Sequence, residues 1–334
     1  MGKERVHYLD VAKGLLILAL LFSHAVWQMG GYGFAGCDVM QIGVEARKFW
    51  SPFFMPAFFT ITGLCSNFNS PAADFIWKNV RTLVLPSIIF ALLVGVKSTI
   101  SMYPDYIVNV WDVLLKLGDF WFLLSLFIAK IVYFYLRKAD AKFFTEAACA
   151  AIYIFGVWCH LSGVKNLYYF QQAALFLPFL HMGVLLKNRT NILDKFAPLA
   201  IIYAAVFAAS TLARWKFQCA SPTVHSAIEI SSWLQAAVYF AMALSGILFA
   251  LSLAKKISSS AVLEHCGRHT LFIYCLHIGF VMSPLIRVYK HFFPVSEIGA
   301  FALFFALIAL SALFCILAAV LYNRTALSRY LGKF

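Results

Sequence analysis

Charged side chains are scarce in this chain. Only 12% of its 334 residues are Asp, Glu, Lys or Arg, whereas soluble domains carry roughly 25%. Hydrophobic residues make up 63% of the sequence. This composition excludes an ordinary water-soluble enzyme and predicts an integral membrane protein.

Acidic residues are the rarer of the two charged classes. The chain has 14 Asp and Glu against 27 Lys and Arg, which gives a formal net charge of +13. The basic residues are scattered over short loops and do not gather on one face. The excess therefore indicates membrane topology, and we expect no nucleic-acid partner.

Motifs that hold metals through paired cysteines are absent from the sequence. None of the eight cysteines forms C-x-x-C, and most lie in apolar segments, where Cys behaves as a small apolar residue. We therefore expect no metal site. A disulfide between Cys37 and Cys219, which are predicted on the same side of the membrane, remains an alternative.

The apolar residues form ten segments close to the ~20 residues that a membrane-spanning helix needs. They cover residues 9–28, 51–69, 80–100, 119–137, 143–161, 170–187, 196–213, 233–253, 269–288 and 298–322. The loops are short, and neither a linker nor a repeat is present. The sequence thus predicts one all-α domain over residues 1–334, a polytopic bundle of about ten transmembrane helices.

The basic residues also predict the orientation of this bundle. With the N-terminus inside, 16 Lys and Arg fall in cytoplasmic parts and 9 in outer loops. This bias favours cytoplasmic N- and C-termini. Since no A-x-A cleavage site follows the first apolar stretch, we expect that stretch to be an uncleaved first helix.

Three ionisable residues lie in or beside the first apolar segment. Lys13 and His24 are eleven residues apart, which on a helix places them on one face, about 16 Å apart along the axis. Asp10 shares that broad face. Ionisable groups within a membrane are costly and usually functional. His24 has the chemistry of a general base, while Asp10 and Lys13 also suit a simple ion pair at i and i+3.

A second basic pair, Lys78 and Arg81, opens the third predicted helix on the cytoplasmic side. The two side chains are three residues apart and project from neighbouring parts of one face. Arg is well suited to phosphate. We therefore expect a phosphorylated ligand here, although charge that sets topology is the simpler alternative.

Several motifs follow one another along the chain in a specific order. The first runs from Arg5 to Gly14 and closes with the K-x10-H spacing of Lys13 and His24. The others are Phe54-Met55-Pro56-Ala57-Phe58-Phe59, Thr62-Gly63, Lys78-x-x-Arg81 with Pro86, Trp121-Phe122-Leu123, Leu180-His181-Met182-Gly183 and Gly267-x-x-Thr270-Leu271-x-Ile273-Tyr274-x-x-His277. This series resembles acyltransferase family 3, in particular its fucose 4-O-acetylase-like, polysaccharide-modifying branch. His181 departs from the family pattern, where an apolar residue is usual.

The resemblance implies an O-acyltransferase that takes an acyl group, usually acetyl, from cytoplasmic acyl-CoA. The implied acceptor is a hydroxyl of a cell-surface or lipid-linked glycan, and the implied location is a bacterial inner membrane. Lys13, Lys78 and Arg81 would bind the phosphates of acetyl-CoA. His24 would act as the base, with Asp10 and Lys13 in the catalytic group.

Other roles stay open at this stage. Trp121, Tyr274 and His277 are candidates for lining the acceptor site, and helix packing is an equal alternative for each. Transfer is expected to be direct, with a covalent intermediate on Cys65 or Thr62 as the alternative. Intramembrane His, Asp and Lys residues also suit a proton-coupled transporter or a lipid-linked sugar flippase.

Overall fold

The structure is a computed structural model that describes residues 6–102, 120–139, 143–217, 230–325 and 328. All regular secondary structure within these ranges is helical, which confirms the predicted all-α class. Arg5 of the first-helix motif and Cys219 of the possible disulfide lie outside the described residues.

The α-helices are α1 (His7–Met29), α2 (Asp38–Arg47), α3 (Phe54–Cys65), α4 (Ala72–Asn79), α5 (Leu85–Met102), α6 (Trp121–Leu136), α7 (Phe144–Leu161), α8 (Phe170–Leu186), α9 (Phe196–Phe217), α10 (Trp233–Ile257), α11 (Ala261–Arg268), α12 (Thr270–Leu276), α13 (Ser283–Phe292) and α14 (Glu297–Arg324). Three π-helical turns, Gly30–Phe34, Val80–Val84 and His277–Met282, continue from α1, α4 and α12. Short 3₁₀ turns cover Arg137–Ala139, Leu167–Tyr169 and Thr190–Asp194.

Six helical segments of the described chain are long and apolar enough to cross a membrane. They are His7–Phe34, Ala72–Leu93, Phe144–Leu161, Trp233–Ile257, Thr270–Phe292 and Glu297–Arg324. Each of the ten predicted segments overlaps a helix, but some of these helices are shorter. The protein is therefore an integral membrane protein, while the count of ten spans and the orientation of the termini stay predictions.

Two predicted boundaries were wrong. The third segment begins at Ala72, eight residues before the predicted start, because α4 runs through a π-helical turn into α5. The pair Lys78 and Arg81 thus lies within a helical segment and does not open it. The second segment shrinks to Phe54–Cys65, and 12 residues at about 1.5 Å each cover only about 18 Å of a ~30 Å hydrocarbon core.

The chain forms two compact units. Unit 1 comprises residues 1–54, 193–203 and 248–334. Its centre is α1, which packs against α11, α14 and α2. Aromatic rings support this packing, since Phe22 lies edge-on to Trp50 and to Phe304, with centroids 4.8 and 4.9 Å away.

Unit 2 comprises residues 55–192 and 204–247. Here α8 packs against α6 and α7. Helices α3 and α8 cross at two glycines, because a Cβ on Gly63 would lie 2.1 Å from the Leu180 carbonyl oxygen and one on Gly183 would lie 2.0 Å from that of Thr60. These are the glycines of the Thr62-Gly63 and His181-Met182-Gly183 motifs, so their role is close helix packing.

Candidate active site

Helix α1 carries three of the predicted site residues without a break. It runs from His7 to Met29, so the spacing argued for Lys13 and His24 holds in the structure. Both side chains are half-buried, and Asp10 is only 3% exposed. Unit 1 therefore presents a buried carboxylate near the start of α1 and an imidazole near its end.

An ionic cluster surrounds Asp10. The Lys13 ammonium lies 2.6 Å from Asp10 Oδ1, and Arg268 Nε lies 3.8 Å from Asp10 Oδ2. Arg268 also donates from Nη2 to Glu264 Oε2 at 2.6 Å. The ion pair that the sequence allowed for Asp10 and Lys13 is thus present. Sequence reasoning missed Glu264 and Arg268, although their spacing of four residues was an available signal.

The carboxylate of Glu264 is held in its ionised form. His7 Nδ1–H donates to Glu264 Oε2 at 3.0 Å. This bond and the one from Arg268 lower the pKa of Glu264 below its ordinary value and outweigh the opposing effect of burial. The charge links the first turn of α1 to α11.

Two glycines bring α1 and α11 into backbone contact. A Cβ added to Gly14 would lie 2.1 Å from the Leu263 carbonyl oxygen, and one added to Gly267 would lie 1.9 Å from that of Asp10. Only glycine allows such an approach. Both glycines belong to motifs that carried the family resemblance, and their contact fixes the ionic cluster.

His24 lies against His277, which the chain supplies from its C-terminal part. The two ring centroids are 5.0 Å apart, with an interplanar angle of 66°. His277 is 1% exposed, and its Nδ1 lies 2.7 Å from the Ile273 carbonyl oxygen. Because a carbonyl only accepts, Nδ1 carries the proton, which leaves Nε2 of the neutral ring unprotonated. Within the described residues, Nε2 of His277 has no hydrogen-bond partner.

Neighbouring contacts hold the His24 end of α1 in place. The Trp50 indole donates to the Ser23 hydroxyl at 2.9 Å, and that hydroxyl donates to the Ala19 carbonyl at 2.8 Å. Ser23 precedes His24, so this chain of bonds restricts the rotation of α1 about its axis. A fixed imidazole is what general-base chemistry needs.

The helix geometry is irregular on both sides of the histidine pair. One π-helical turn, Gly30–Phe34, follows α1, and another, His277–Met282, starts at His277 itself. Such turns are rare and frequently mark functional sites. Neither turn has a direct signal in the sequence apart from the Gly30-Gly31-Tyr32-Gly33 stretch.

Lys78 and Arg81 belong to unit 2. Lys78 is exposed near the end of α4, and Arg81 is half-buried in the turn Val80–Val84. A third cation, Lys130 of α6, was not assigned from the sequence. Its ammonium lies 5.8 Å from the ring centroid of Phe75, and Phe75 precedes Lys78 by one helical turn. Unit 2 therefore carries a basic region around α4.

The other predicted residues divide between the units. Trp121 is buried in unit 2, where its ring centroid lies 6.2 Å from those of Phe122 and Phe176. Tyr274 is half-buried in unit 1, one turn before His277. In unit 2, His181 Nδ1 bonds the Tyr133 hydroxyl at 2.9 Å.

The described residues contain no group of three or more His, Cys, Asp or Glu side chains placed to hold a metal ion. Comparison with known families gives a match. The profile described as "Acyltransferase domain" matches residues 6–320. The chain belongs to acyltransferase family 3. This membership confirms the resemblance drawn from the motifs, and the protein is a membrane acyltransferase. It matches no curated protein and no solved structure.

Proposed function

We propose that this acyltransferase family 3 member transfers an acetyl group from cytoplasmic acetyl-CoA to a hydroxyl of a cell-surface or lipid-linked glycan. The observation that supports the proposal is the pairing of His24 with a buried histidine inside a membrane protein of this family. A half-buried imidazole packed against a buried one provides a base where the access of water is restricted, which limits hydrolysis of the thioester.

In this mechanism His24 accepts the proton of the acceptor hydroxyl. The oxygen attacks the thioester carbonyl carbon, and the resulting tetrahedral intermediate collapses with cleavage of the C–S bond. The CoA thiolate leaves and takes the proton from the His24 imidazolium. The products are the O-acetyl ester and CoA, and His24 returns to its neutral form.

His277 assists this step as a positioning residue. Its Nδ1–H bond to Ile273 fixes its ring, and Nε2 stays unprotonated on a side chain packed against His24. A second imidazole at this distance restricts the rotamer of His24. Asp10 and Lys13 hold the start of α1 through their ion pair.

Donor binding is assigned to the cations at the predicted cytoplasmic ends of the helices. Lys78 and Arg81 of unit 2 are proposed to bind the phosphates of acetyl-CoA, for which ammonium and guanidinium groups are suited. For Lys13, which pairs with Asp10 in unit 1, the same role stays a prediction from the sequence. The inner membrane of a bacterium is the proposed location, as the family resemblance and the distribution of basic residues suggest.

Thermal unfolding of the purified protein with acetyl-CoA tests the donor class. At about 100 times its Kd, a ligand stabilises the folded state by ~2.7 kcal/mol. We expect acetyl-CoA to raise the Tm of the wild type and to lose most of this effect in a Lys78→Ala, Arg81→Ala double variant. Lys165→Ala, which removes an exposed cation elsewhere in unit 2, is the control. A Tm that acetyl-CoA does not change would contradict the proposal.

A further inference from the structure

A cavity of about 750 Å³ begins one turn beyond His24. It lies within unit 1, bounded by the last turn of α1, the π-helical turn Gly30–Phe34 and α2. Sites for small molecules commonly have volumes of ~300–1,000 Å³. The lining combines aromatic, amide and charged side chains, which is unusual for a surface in contact with lipid.

Trp27 is the aromatic wall of the cavity nearest to the histidines. Its side chain is 59% exposed, and its ring centroid lies 6.2 Å from that of His24. If Trp27 were considered by itself, a role as an anchor at the membrane interface would explain its exposure. That role does not explain why polar groups line the same cavity. The broad apolar face of an indole with a polar edge also suits the stacking of a sugar ring.

Gln28 supplies a polar group that points to a ligand. The residue is only 8% exposed, and its Oε1 accepts a hydrogen bond from the Ser283 hydroxyl at 3.4 Å. In the part of the chain that the structure describes, its amide nitrogen makes no hydrogen bond. Because Gln28 lines the cavity, its amide nitrogen is available to donate to a hydroxyl or ring oxygen of a ligand.

Of the two charged residues that line the cavity, Glu45 and Arg47, only Glu45 forms an ion pair within the described residues. Glu45 forms an ion pair with Lys48, which offsets its negative charge. Arg47 also lines the cavity, and within the described residues it makes no ion pair. The Arg47 guanidinium therefore has no counterion among the residues that the structure describes. Guanidinium binds carboxylate and phosphate through paired hydrogen bonds.

We infer that this cavity is the acceptor site and that it selects saccharides carrying a carboxylate or phosphate group. The sugar ring stacks on Trp27, the amide of Gln28 binds a hydroxyl, and the anionic group binds Arg47. The acceptor hydroxyl is thereby directed toward His24, one turn away on the same helix. The inference rests on the proposed function, because it assigns an acceptor to that reaction.

Rigid support of the cavity wall agrees with a binding role. Tyr32 lines the cavity, and Lys290 donates to its carbonyl oxygen at 2.8 Å, while Arg287 donates to its hydroxyl at 3.2 Å. Gly33 adopts φ = 90° in the same turn, a conformation that glycine reaches without strain. These contacts hold Tyr32 in the cavity wall.

Binding to a saccharide array tests the inference. The solubilised full-length protein is applied to three matched sets of pyranose saccharides: unsubstituted, uronate-bearing and phosphate-bearing. We expect the wild type to prefer one or both charged sets, and the set that binds identifies the source of the anion. Arg47→Gln should lower affinity for the charged sets about 10-fold and leave the unsubstituted set unchanged. Arg47→Lys keeps the positive charge, so its affinity for the charged sets should lie between those of the wild type and Arg47→Gln.

Lys165→Gln removes one positive charge from an exposed position of unit 2 and should bind all three sets as the wild type does. Equal binding to the three sets, no binding to any set, or an equal loss in the Lys165 and Arg47 variants would overturn the inference. A Trp27→Ala variant provides a second test, because it should weaken binding to every set that the wild type binds.

Measurements of acetyl-CoA use separate this inference from the proposed function. The wild type should release CoA from acetyl-CoA slowly when no saccharide is present, and Lys165→Gln should do so at the same rate. If the charged saccharides bind but no protein uses acetyl-CoA, the proposed function fails and the cavity stands only as a site for anionic saccharides. If the wild type acetylates unsubstituted saccharides as well as charged ones, the function stands and the charge selectivity is overturned.

Discussion

At the residue scale, the contact between His24 and His277 is the feature on which the chemistry depends. The sequence identified each histidine within a motif. It could not show that they pack together, because that contact depends on how α1 meets the π-helical turn that starts at His277. The same limit applies to the Asp10 cluster, where the spacing predicted Lys13 as a partner but not Arg268.

Removal of Nε2 from His277 should slow the reaction without unfolding the protein. His277→Asn retains an N–H donor near Nδ1 for the Ile273 carbonyl and loses the second nitrogen. We expect kcat to fall about 10- to 100-fold, which is no more than the smallest loss usual for removal of a catalytic base. The Tm should stay close to that of the wild type. His291→Asn, at an exposed histidine, is the control. Wild-type kcat in His277→Asn would refute the positioning role.

The lowered pKa of Glu264 predicts a pH dependence of stability. A carboxyl with a lower pKa in the folded than in the unfolded state stabilises the fold above the unfolded pKa, near 4.3 for Glu. That contribution is lost as the pH falls through the folded pKa. Glu264→Gln should therefore lower Tm at pH 7, and the difference from wild type should shrink below about pH 4. A difference that does not vary with pH would argue against ionised Glu264 as the cause.

At the scale of the elements, glycine contacts decide how the helices pack. The motifs pointed to Gly63, Gly183 and Gly267 as special positions, but not to the reason. In each case the reason is a carbonyl oxygen of a neighbouring helix, at about 2 Å from the place that a Cβ would occupy. Such contacts come from tertiary structure, so no periodicity within one helix predicts them.

Gly267→Ala should separate α1 from α11. Because the added methyl group meets the Asp10 carbonyl, the helices must shift, and overpacking of this kind costs roughly 1–3 kcal/mol. We expect a lower Tm and a weaker pH effect from the Glu264 cluster. Gly36→Ala is the matched control, since nothing lies within 4 Å of its added Cβ. Equal Tm values for the two variants would show that the contact is not close in solution.

At the scale of the whole molecule, composition predicted the class of protein more reliably than the limits of its spans. The low content of charge and the apolar runs sufficed for an all-α membrane protein. The boundaries near residue 80 were wrong because α4, a polar-faced helix, continues into α5 through a π-helical turn. Hydrophobicity alone marks where a helix enters lipid and not where it begins.

The distribution of Lys and Arg predicts cytoplasmic termini. A C-terminal epitope tag should be digested by protease in inside-out vesicles and protected in right-side-out vesicles. A tag inserted after Lys165, in a loop predicted to lie outside, should give the opposite pattern and serves as the control. Protection of the C-terminal tag in inside-out vesicles would contradict the predicted orientation.

The most direct test of the account is acetyl transfer by the purified protein in liposomes, with radiolabelled acetyl-CoA and a glycan acceptor, for wild type and His24→Ala. We predict labelled ester in the wild type and a loss of about 100-fold or more in the variant, with acetyl-CoA still raising the Tm of both proteins. Normal transfer by His24→Ala would contradict the assignment of His24 as the base.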